Sequence, residues 1–354
     1  MYQYSIIPQA KQKITETLKQ LKLSILDKNF TVEKNIQNTK RFFMPICADK
    51  QGKKYFFKAR FQNTDELFLA LKKEIEFNKN ISPIISSKNP HFITPGIIKS
   101  GRDKQGYIWF YRECYEENFA GFMDVDSGMT KEFLDKCSPQ DFALKLFSLQ
   151  KNTFKIKKTM QLHSHNYHWY KADFDYYFYT EILQKEIPRE LKKIKQLFEK
   201  NKILLNRNAN WLTHGDLYPN NILISNNQLV IIDWELVHLN NQAFDLIFIW
   251  MNAFRNPKWQ QDFLKTYFQK IKNKINFQKL FRIVGLTLCL RFFHHDCVII
   301  KTFNKGYKEK LISRGFTEKQ IHGTLKKARE AKKAHFEILK KLLKQNKFIL
   351  RFTR

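Results

Sequence analysis

One stretch of the chain carries side chains whose types and spacing suit chemistry on phosphate. It reads His214-Gly215-Asp216-Leu217-Tyr218-Pro219-Asn220-Asn221, and twelve residues after Asn221 comes Asp233, in Ile232-Asp233-Trp234-Glu235. An Asp and an Asn five apart on a loop, then an Asp at the end of the next hairpin, can converge on one metal–nucleotide site. Phosphoryl transfer needs those parts. One carboxylate orients an attacking hydroxyl and takes its proton, and oxygen ligands hold Mg²⁺. The remaining task is to position and neutralise charge.

A second group lies upstream. Lys58 sits inside the apolar run Tyr55-Phe56-Phe57-Lys58-Ala59. On a strand, Lys54, Phe56 and Lys58 share one face, while Tyr55, Phe57 and Ala59 share the other. A lysine among aromatic side chains is costly to bury without an anion, which marks it as a functional candidate. The following helical segment offers Glu74 and Glu76, two apart and therefore on different helix faces, so only one can pair with Lys58. Glu74 follows the apolar stripe Leu67, Leu71 more closely and is preferred; each, read blandly, is an exposed helix Glu.

The loop has the spacing H-x-D-x-x-x-x-N of a kinase catalytic loop, with Leu directly after the Asp. HGDLYPNNIL, IIDWE, the downstream Ala243-Phe244-Asp245-Leu246 and LFLALKKEIEF with Lys58 together resemble the aminoglycoside phosphotransferase/choline kinase family. This is the small-molecule branch of the protein-kinase-like superfamily. Family-like order runs over residues 30–300, and the 211–246 block is the specific part. The resemblance implies an α+β, two-lobed protein-kinase-like fold with a small β-rich N-terminal lobe and a larger, mainly helical C-terminal lobe, the active site lying between them.

The resemblance also implies roles. Asp216 would be the catalytic Asp, Asn221 and Asp233 would hold Mg²⁺, and His214 and Asp245 would brace the loop. Lys58 and Glu74 would serve the phosphates of ATP or GTP, and a hinge at Tyr111–Tyr115, with Glu113 and Cys114, would offer backbone hydrogen bonds to the base. The chain departs from the pattern in three ways. Val32–Lys40 contains no Gly, so no glycine-rich phosphate loop is present. The metal motif is Asp-Trp-Glu with no Ala-Pro-Glu after it, which argues against a peptide-phosphorylating kinase. Gln150 stands where the family often has a His.

These residues need elements to hold them. Ile14, Leu18, Leu21 and Ile25 have helical spacing over residues 8–27. Arg41–Ala48 and Lys54–Phe61 read as a hairpin around Asp49-Lys50-Gln51-Gly52. Thr64–Ile81 opens with a Thr cap and acidic residues, a helix start, and stops before Pro83. HFITPGIIKSG and QGYIWFYREC read as two strands, with Lys99–Gln105 as the turn. Residues 131–205 are helical in pattern, Ile222–Ser225 and Leu229–Ile232 are short strands, and everything later reads as helix. The expected organisation is a helical extension (1–30), a nucleotide-binding lobe (31–114) and a catalytic and substrate-binding lobe (115–354).

Composition bounds the rest. The 354 residues carry 63 Lys+Arg against 33 Asp+Glu, a net +30, with 43% hydrophobic residues and 33 Phe. That apolar fraction excludes a disordered basic tail protein, and scarce Gly and Pro exclude collagen-like and linker-dominated chains. The charge reads as a lysine-filled surface plus a basic C-terminal helix, whose face Ala328, Ala331, His335, Ile338 and Leu342 docks while the rest is basic. Contact with nucleic acid or an anionic membrane through that helix stays open. Five widely spaced cysteines with no C-x-x-C, no signal peptide and no apolar run of about 18 residues predict a cytoplasmic protein without a transmembrane segment.

Three further clusters carry weaker signals. Glu113, Glu116, Glu117, Asp124 and Asp126 are an acidic concentration after the hinge that could face a cationic substrate. His163, His165 and His168 have a spacing open to a metal, though a polar loop is the plainer reading. Trp169, Tyr170, Trp250 and Trp259 could cage a quaternary ammonium, though helical aromatics are more often core. The sequence thus points to an Mg²⁺- and NTP-dependent kinase acting on the hydroxyl of an amino alcohol, sugar or aminocyclitol. A nucleotide-binding pseudokinase scaffold and a basic nucleic-acid- or membrane-associated protein are the alternatives.

Overall fold

The computed structural model describes residues 10–26, 42–61, 66–88, 92–104, 106–115, 118–154, 162–226 and 228–344. The expected Thr64 cap, the Val32–Lys40 segment, Glu116 and Glu117 lie outside them. By contacts the chain forms two compact units: residues 1–117 with 230–237, and residues 118–229 with 238–354.

The first unit is organised by alternation along one strand. Its elements are α1 (Ala10–Gln20), β1 (Ser24–Ile25), β2 (Ile46–Ala48), β3 (Lys54–Arg60), α2 (Glu66–Asn80), α3 (Ser82–Lys88), β4 (Phe92–Ile93), β5 (Lys99–Arg102) and β6 (Ile108–Glu113). Five of the strands form an antiparallel sheet in the order β1-β2-β3-β6-β5. Phe57 and Ala59 of β3 pack under α1 with Ala10, Ile14, Leu18 and Phe43. Phe56, from the opposite face, packs with Phe68, Leu71 and Ile75 of α2 and with Phe110 of β6. The period-2 pattern of KYFFKAR therefore supplies two cores at once, and it puts Lys58 on the α2 side.

Three expectations need correction here. The first helix ends at Gln20; Lys22 takes a left-handed φ of 57° and Leu23 N donates to Leu18 O (2.9 Å). Ile25 consequently leaves the helical stripe and pairs with Cys47 in β1. The strand expected over Arg41–Ala48 shortens to β2, because Pro45 has no N–H to give to a ladder; only an isolated bridge joins Phe43 to Ala59. The turn expected over Lys99–Gln105 is half strand: β5 pairs with β6 up to Arg102↔Ile108. Asp103 reverses the chain instead, its Oδ1 accepting from Tyr107 N (3.0 Å). Gly101 in β5 lies against Trp109, where an added Cβ would come within 2.6 Å of the indole.

The second unit is mainly helical: α4 (Met123–Asp126), α5 (Lys131–Lys136), α6 (Pro139–Phe154), α7 (Tyr167–Phe178), α8 (Glu181–Glu186), α9 (Pro188–Lys200) and α10 (Lys202–Asn208) precede the β island. The island contains β7 (Trp211–Thr213), β8 (Ile222–Ser225), β9 (Gln228–Ile231) and β10 (His238–Asn240). Sequence reading missed β7 and β10, three-residue strands that pair antiparallel across 25 residues, Thr213 opposite His238. Such short strands carry no readable period; the long-range pairing makes them strands.

The unit closes with α11 (Ala243–Asn252), α12 (Pro257–Gln269), α13 (Lys274–Thr302), α14 (Tyr307–Ser313), α15 (Glu318–Ile321) and α16 (Thr324–Lys344). Every residue of α11 is buried, and α13 buries more than half of its 29. By length and composition alone α13 could cross a membrane, yet 72% of its most apolar window is buried inside the protein, as in a core helix. The expected docking face of α16 is the observed one: Ala328, Ala331, His335, Ile338 and Leu342 are all buried.

Candidate active site

Within the first unit, Lys58 is the centre of a buried ionic cluster. Its Nζ donates to Glu74 Oε2 at 2.8 Å, Asp233 Oδ1 at 2.6 Å and Glu235 Oε2 at 2.9 Å. Lys58 is 1% exposed and Glu74 2%. Burial by itself would lower the lysine's pKa, but the charges of Asp233, Glu74 and Glu235 overrule it and hold Lys58 well above its ordinary value, hence charged. The Phe42 ring lies 4.5 Å from the ammonium. Glu74 is the helix partner and Glu76 is not: Glu76 is a surface residue 3.7 Å from Lys72.

One lysine bonds three carboxylates that also repel one another. The consequence falls on Glu74: burial first, then the charges of Asp233 and Glu235, push its carboxyl up to about 7 against the pull of Lys58. Among the described residues, Glu74, Asp233 and Glu235 are the one group of three His, Cys, Asp or Glu with ligand atoms within 4.8 Å of one another. Hard carboxylate oxygens gathered this closely suit Mg²⁺ or a similar divalent ion. Arg112 supplies a second buried cation in the unit. Register places it opposite Phe56, on the Lys58 face; it lies 4.5 Å over the Phe56 ring and donates to Glu113 O.

The local chain explains how Asp233 and Glu235 reach the cluster. Asp233 adopts φ 66°, a left-handed conformation that Asp tolerates better than most residues. A single 3-10 turn, Trp234–Leu236, follows. Trp234 anchors it: the indole stacks on Phe77 of α2 at 4.1 Å, and its Nε1 donates to Ile231 O at 3.0 Å. The Trp of Asp-Trp-Glu is thus a packing residue, and Glu235 is a functional candidate that spacing did not reveal. The only signal was an acidic residue where the Asp-Phe-Gly motif of peptide-phosphorylating kinases has Gly.

The catalytic-loop candidates lie in the second unit and are held by backbone bonds. Asp245, at the start of α11 and 1% exposed, accepts from His214 N (2.8 Å, Oδ2) and Gly215 N (3.3 Å, Oδ1). Burial pushes its carboxyl up to about 7, although these two N–H groups work against the shift. His214 is fully buried and its Nδ1 accepts from Asp216 N (3.2 Å). Asn221 Nδ2 donates to Asp216 O (2.8 Å) and to Asp216 Oδ2 (3.3 Å). That leaves Asn221 Oδ1, which accepts from Asn220 Nδ2, as the atom suited to a cation. Asp216 itself is partly exposed. So His214, Asp216 and Asn221 share one loop, and Asp245 bonds to it from α11.

Other candidates are not brought to these clusters. Glu113 lies opposite Tyr55, on the sheet face away from Lys58, and pairs with exposed Lys53 at 2.7 Å. Cys114 N donates to Lys54 O at 3.3 Å, at the end of the β3–β6 ladder. Of the acidic cluster, Asp124 is engaged by Arg314 and Tyr307, and Asp126 by Lys327 and Phe122 N, so these two tie helices together. Tyr170, Trp250 and Trp259 are core residues and build no cage. His165 stacks between Trp169 and His238, while His163 and His168 are exposed. Gln150, fully buried, ties Tyr267 OH to Gln242 O, which gives it a packing role.

Comparison with known proteins follows from this geometry. Residues 161–274 match the phosphotransferase enzyme family (APH), a stretch that contains the whole Asp216 loop, Asp233 and Asp245. No curated protein matches the chain in sequence. Among solved structures, the GDP and kanamycin complex of APH(2")-IIia is similar, with TM-score 0.55 and 11% identity, over 91% of this chain and 98% of that one. The aminoglycoside phosphotransferase APH(4)-Ia gives 0.53 and 12%, over 93% and 98%. A macrolide 2'-phosphotransferase of type I gives 0.50 and 12%, over 92% and 98%. At these identities the likeness shows the fold, and the kinase-like α+β architecture expected from the sequence is the observed one.

Proposed function

We propose that this chain, whose residues 161–274 match the phosphotransferase enzyme family, moves the γ-phosphate of ATP or GTP to the hydroxyl of a small molecule with Mg²⁺. The observation that carries the reading is the Asp216 loop. It presents a partly exposed carboxylate whose backbone is fixed on both sides, by Asp245 through His214 and Gly215 and by Asn221 through Asp216 O. A carboxylate so held can orient an acceptor hydroxyl and accept its proton as the O–P bond forms. Because the loop is fixed before substrate arrives, little reorganisation opposes the step.

The ionic cluster of the first unit supports the donor half of the reading. Lys58, kept charged by its three carboxylates, would meet the phosphates of the nucleotide, with Glu74 holding its ammonium in place. Asp233, with Glu235 beside it, and Asn221 are the proposed metal ligands. When bound, the ion would neutralise phosphate charge and shield the transferring group. The hinge residues Glu113 and Cys114 would act on the base through their main chain, since the Glu113 carboxylate is engaged with Lys53.

Two measurements test the reading. ATP or GTP with Mg²⁺ should raise the melting temperature, and no shift with either nucleotide would count against the reading. Asp216→Ala should lower phosphotransfer by about 10³–10⁴-fold while the nucleotide-dependent melting shift survives; undiminished turnover would remove the assigned mechanism.

A further inference from the structure

A buried polar network in the second unit reaches the Asp216 loop through hydrogen bonds, and Tyr170, weighed above only as a cage residue, anchors it. Its centre is the pair Asn240-Asn241, which joins the end of β10 to the start of α11. The Tyr170 hydroxyl, from α7, donates to Asn240 Oδ1 at 2.7 Å and accepts from Asn241 Nδ2, also at 2.7 Å. Asn241 Nδ2 and N both donate to Asn240 Oδ1, at 3.0 and 2.8 Å. Asn240 Nδ2 meets His238 Nε2 at 2.9 Å. Tyr170, Asn240 and Asn241 are each at most 1% exposed. Burial holds the phenol well above its ordinary pKa, so Tyr170 keeps the proton it donates.

Two arms of this network arrive at the same backbone. The first runs through α11. Asn241 Oδ1 accepts from Ala243 N at 3.0 Å and Asn241 O from Phe244 N at 3.1 Å, so Asn241 satisfies donors in the first turn of that helix. Asp245 stands in the same turn, and its two oxygens take the N–H groups of His214 and Gly215. The second arm runs through β10. Thr213 lies opposite His238, its Oγ1 donates to His238 O at 3.1 Å, and the next residue along the chain is His214. The network therefore fixes both the acceptors and the donors of the Asp245 bonds. Position 241 needs an oxygen for the helix N–H and an N–H for the phenol on one short side chain, which an amide supplies. Serine could cap the helix but is too short to reach the phenol as well.

We propose that Tyr170 and Asn241 are positioning residues for phosphotransfer: their hydrogen bond sets the first turn of α11 so that Asp245 holds the His214–Gly215 backbone and, through it, the Asp216 carboxylate. The kinetic consequence rests on the phosphotransferase reading, while the structural consequence is read independently at the His214 and Gly215 amides. Both residues act through Asp245 rather than on the reacting atoms.

The test uses the full chain with Tyr170→Phe, Asn241→Ser and the Tyr170→Phe/Asn241→Ser double variant, and with Ile338→Val on the docked face of α16 as a control for stability. ATP or GTP turnover is measured with water as the acceptor, alongside nucleotide KM, melting temperature and amide hydrogen exchange. Tyr170→Phe removes one hydroxyl and keeps the ring; it should lower kcat about 10-fold, with nucleotide KM within about twofold. Asn241→Ser keeps an acceptor for Ala243 N and loses the donor to the phenol, so it should lower kcat by a similar factor of about 10. The double variant should be no worse than about the poorer single one, because both remove one hydrogen bond. Exchange at the His214 and Gly215 amides should speed about tenfold in each, while that of β3 stays unchanged. Ile338→Val should lower the melting temperature by about 2–4 °C and leave kcat and those two amides as they are. Wild-type kcat in both Tyr170→Phe and Asn241→Ser would overturn the proposal, as would a loss carried by KM, additive losses, or unchanged exchange at His214 and Gly215. An equal kcat loss in Ile338→Val would overturn it too, by making the effect one of stability alone. Absence of turnover in the wild type would sink the phosphotransferase reading, and the two amides would then decide the positioning role alone.

Discussion

The two candidate clusters solve the same problem, holding a carboxylate in place, by opposite means. Around Lys58 the bonds run between charged side chains: one ammonium holds Glu74, Asp233 and Glu235, and Arg112 and Lys73 act on them through charge. Around Asp216 the bonds run to main-chain N–H groups, a ring nitrogen and a side-chain amide. The first arrangement stores negative charge that a cation can answer. The second fixes geometry through main-chain donors and a side-chain amide. On the proposed reading, a group that grips a metal and phosphates differs physically from one that aims a base.

Lys58→Met gives the largest break in that contrast. It leaves three carboxylates clustered without their cation, so stability should fall by about 3–5 kcal/mol in urea denaturation. The nucleotide-dependent melting shift should vanish as well. A Lys58→Met protein as stable as the wild type would mean that the cluster already takes its counter-charge elsewhere.

Asp245→Asn probes the other side at intermediate size. The Asn keeps one acceptor but sets an NH₂ against a backbone N–H, so turnover should fall about 10²-fold with nucleotide binding retained. Stability should respond to pH in a specific direction. Asp245 titrates near 7 in the fold against an ordinary 3.8, so the folded protein binds this proton more tightly than the unfolded chain does. Its contribution is complete below about pH 4 and is lost as pH rises through about 7. The variant should therefore lose less stability than the wild type between pH 4 and 7. Equal slopes would show that Asp245 stays ionised across the range.

Glu113→Gln should have the smallest effect, within about 0.5 kcal/mol and with the nucleotide shift unchanged, because its partner Lys53 is exposed and such pairs contribute little. A lost nucleotide shift would move the Glu113 side chain into the donor half-site.

Legibility followed range along the chain. The Asp216–Asn221 connection spans five residues, and β3 declares both its faces through alternation, so Lys58 could be found by reading outward from an apolar strand. Glu74 could be preferred over Glu76 because a helix stripe continues through it. Ile25 and the Lys99–Gln105 turn were misplaced because their conformations depend on pairing with Cys47 and with β6, partners more than five residues away. β7 and β10 are too short to show a period before they meet.

Sequence alone therefore determined the reactive residue types, their local spacing and the two-faced strand beneath Lys58, since all of these depend on covalent geometry and nearest turns. Tertiary structure decided that Glu235 joins the Lys58 cluster, that Trp234 is a wedge against Phe77, and that Asp124 and Asp126 tie helices together. Each of those contacts pairs residues tens to hundreds of positions apart, and each is fixed by packing. Local propensity and charge pattern carry no information about which distant side chain will fill a given space.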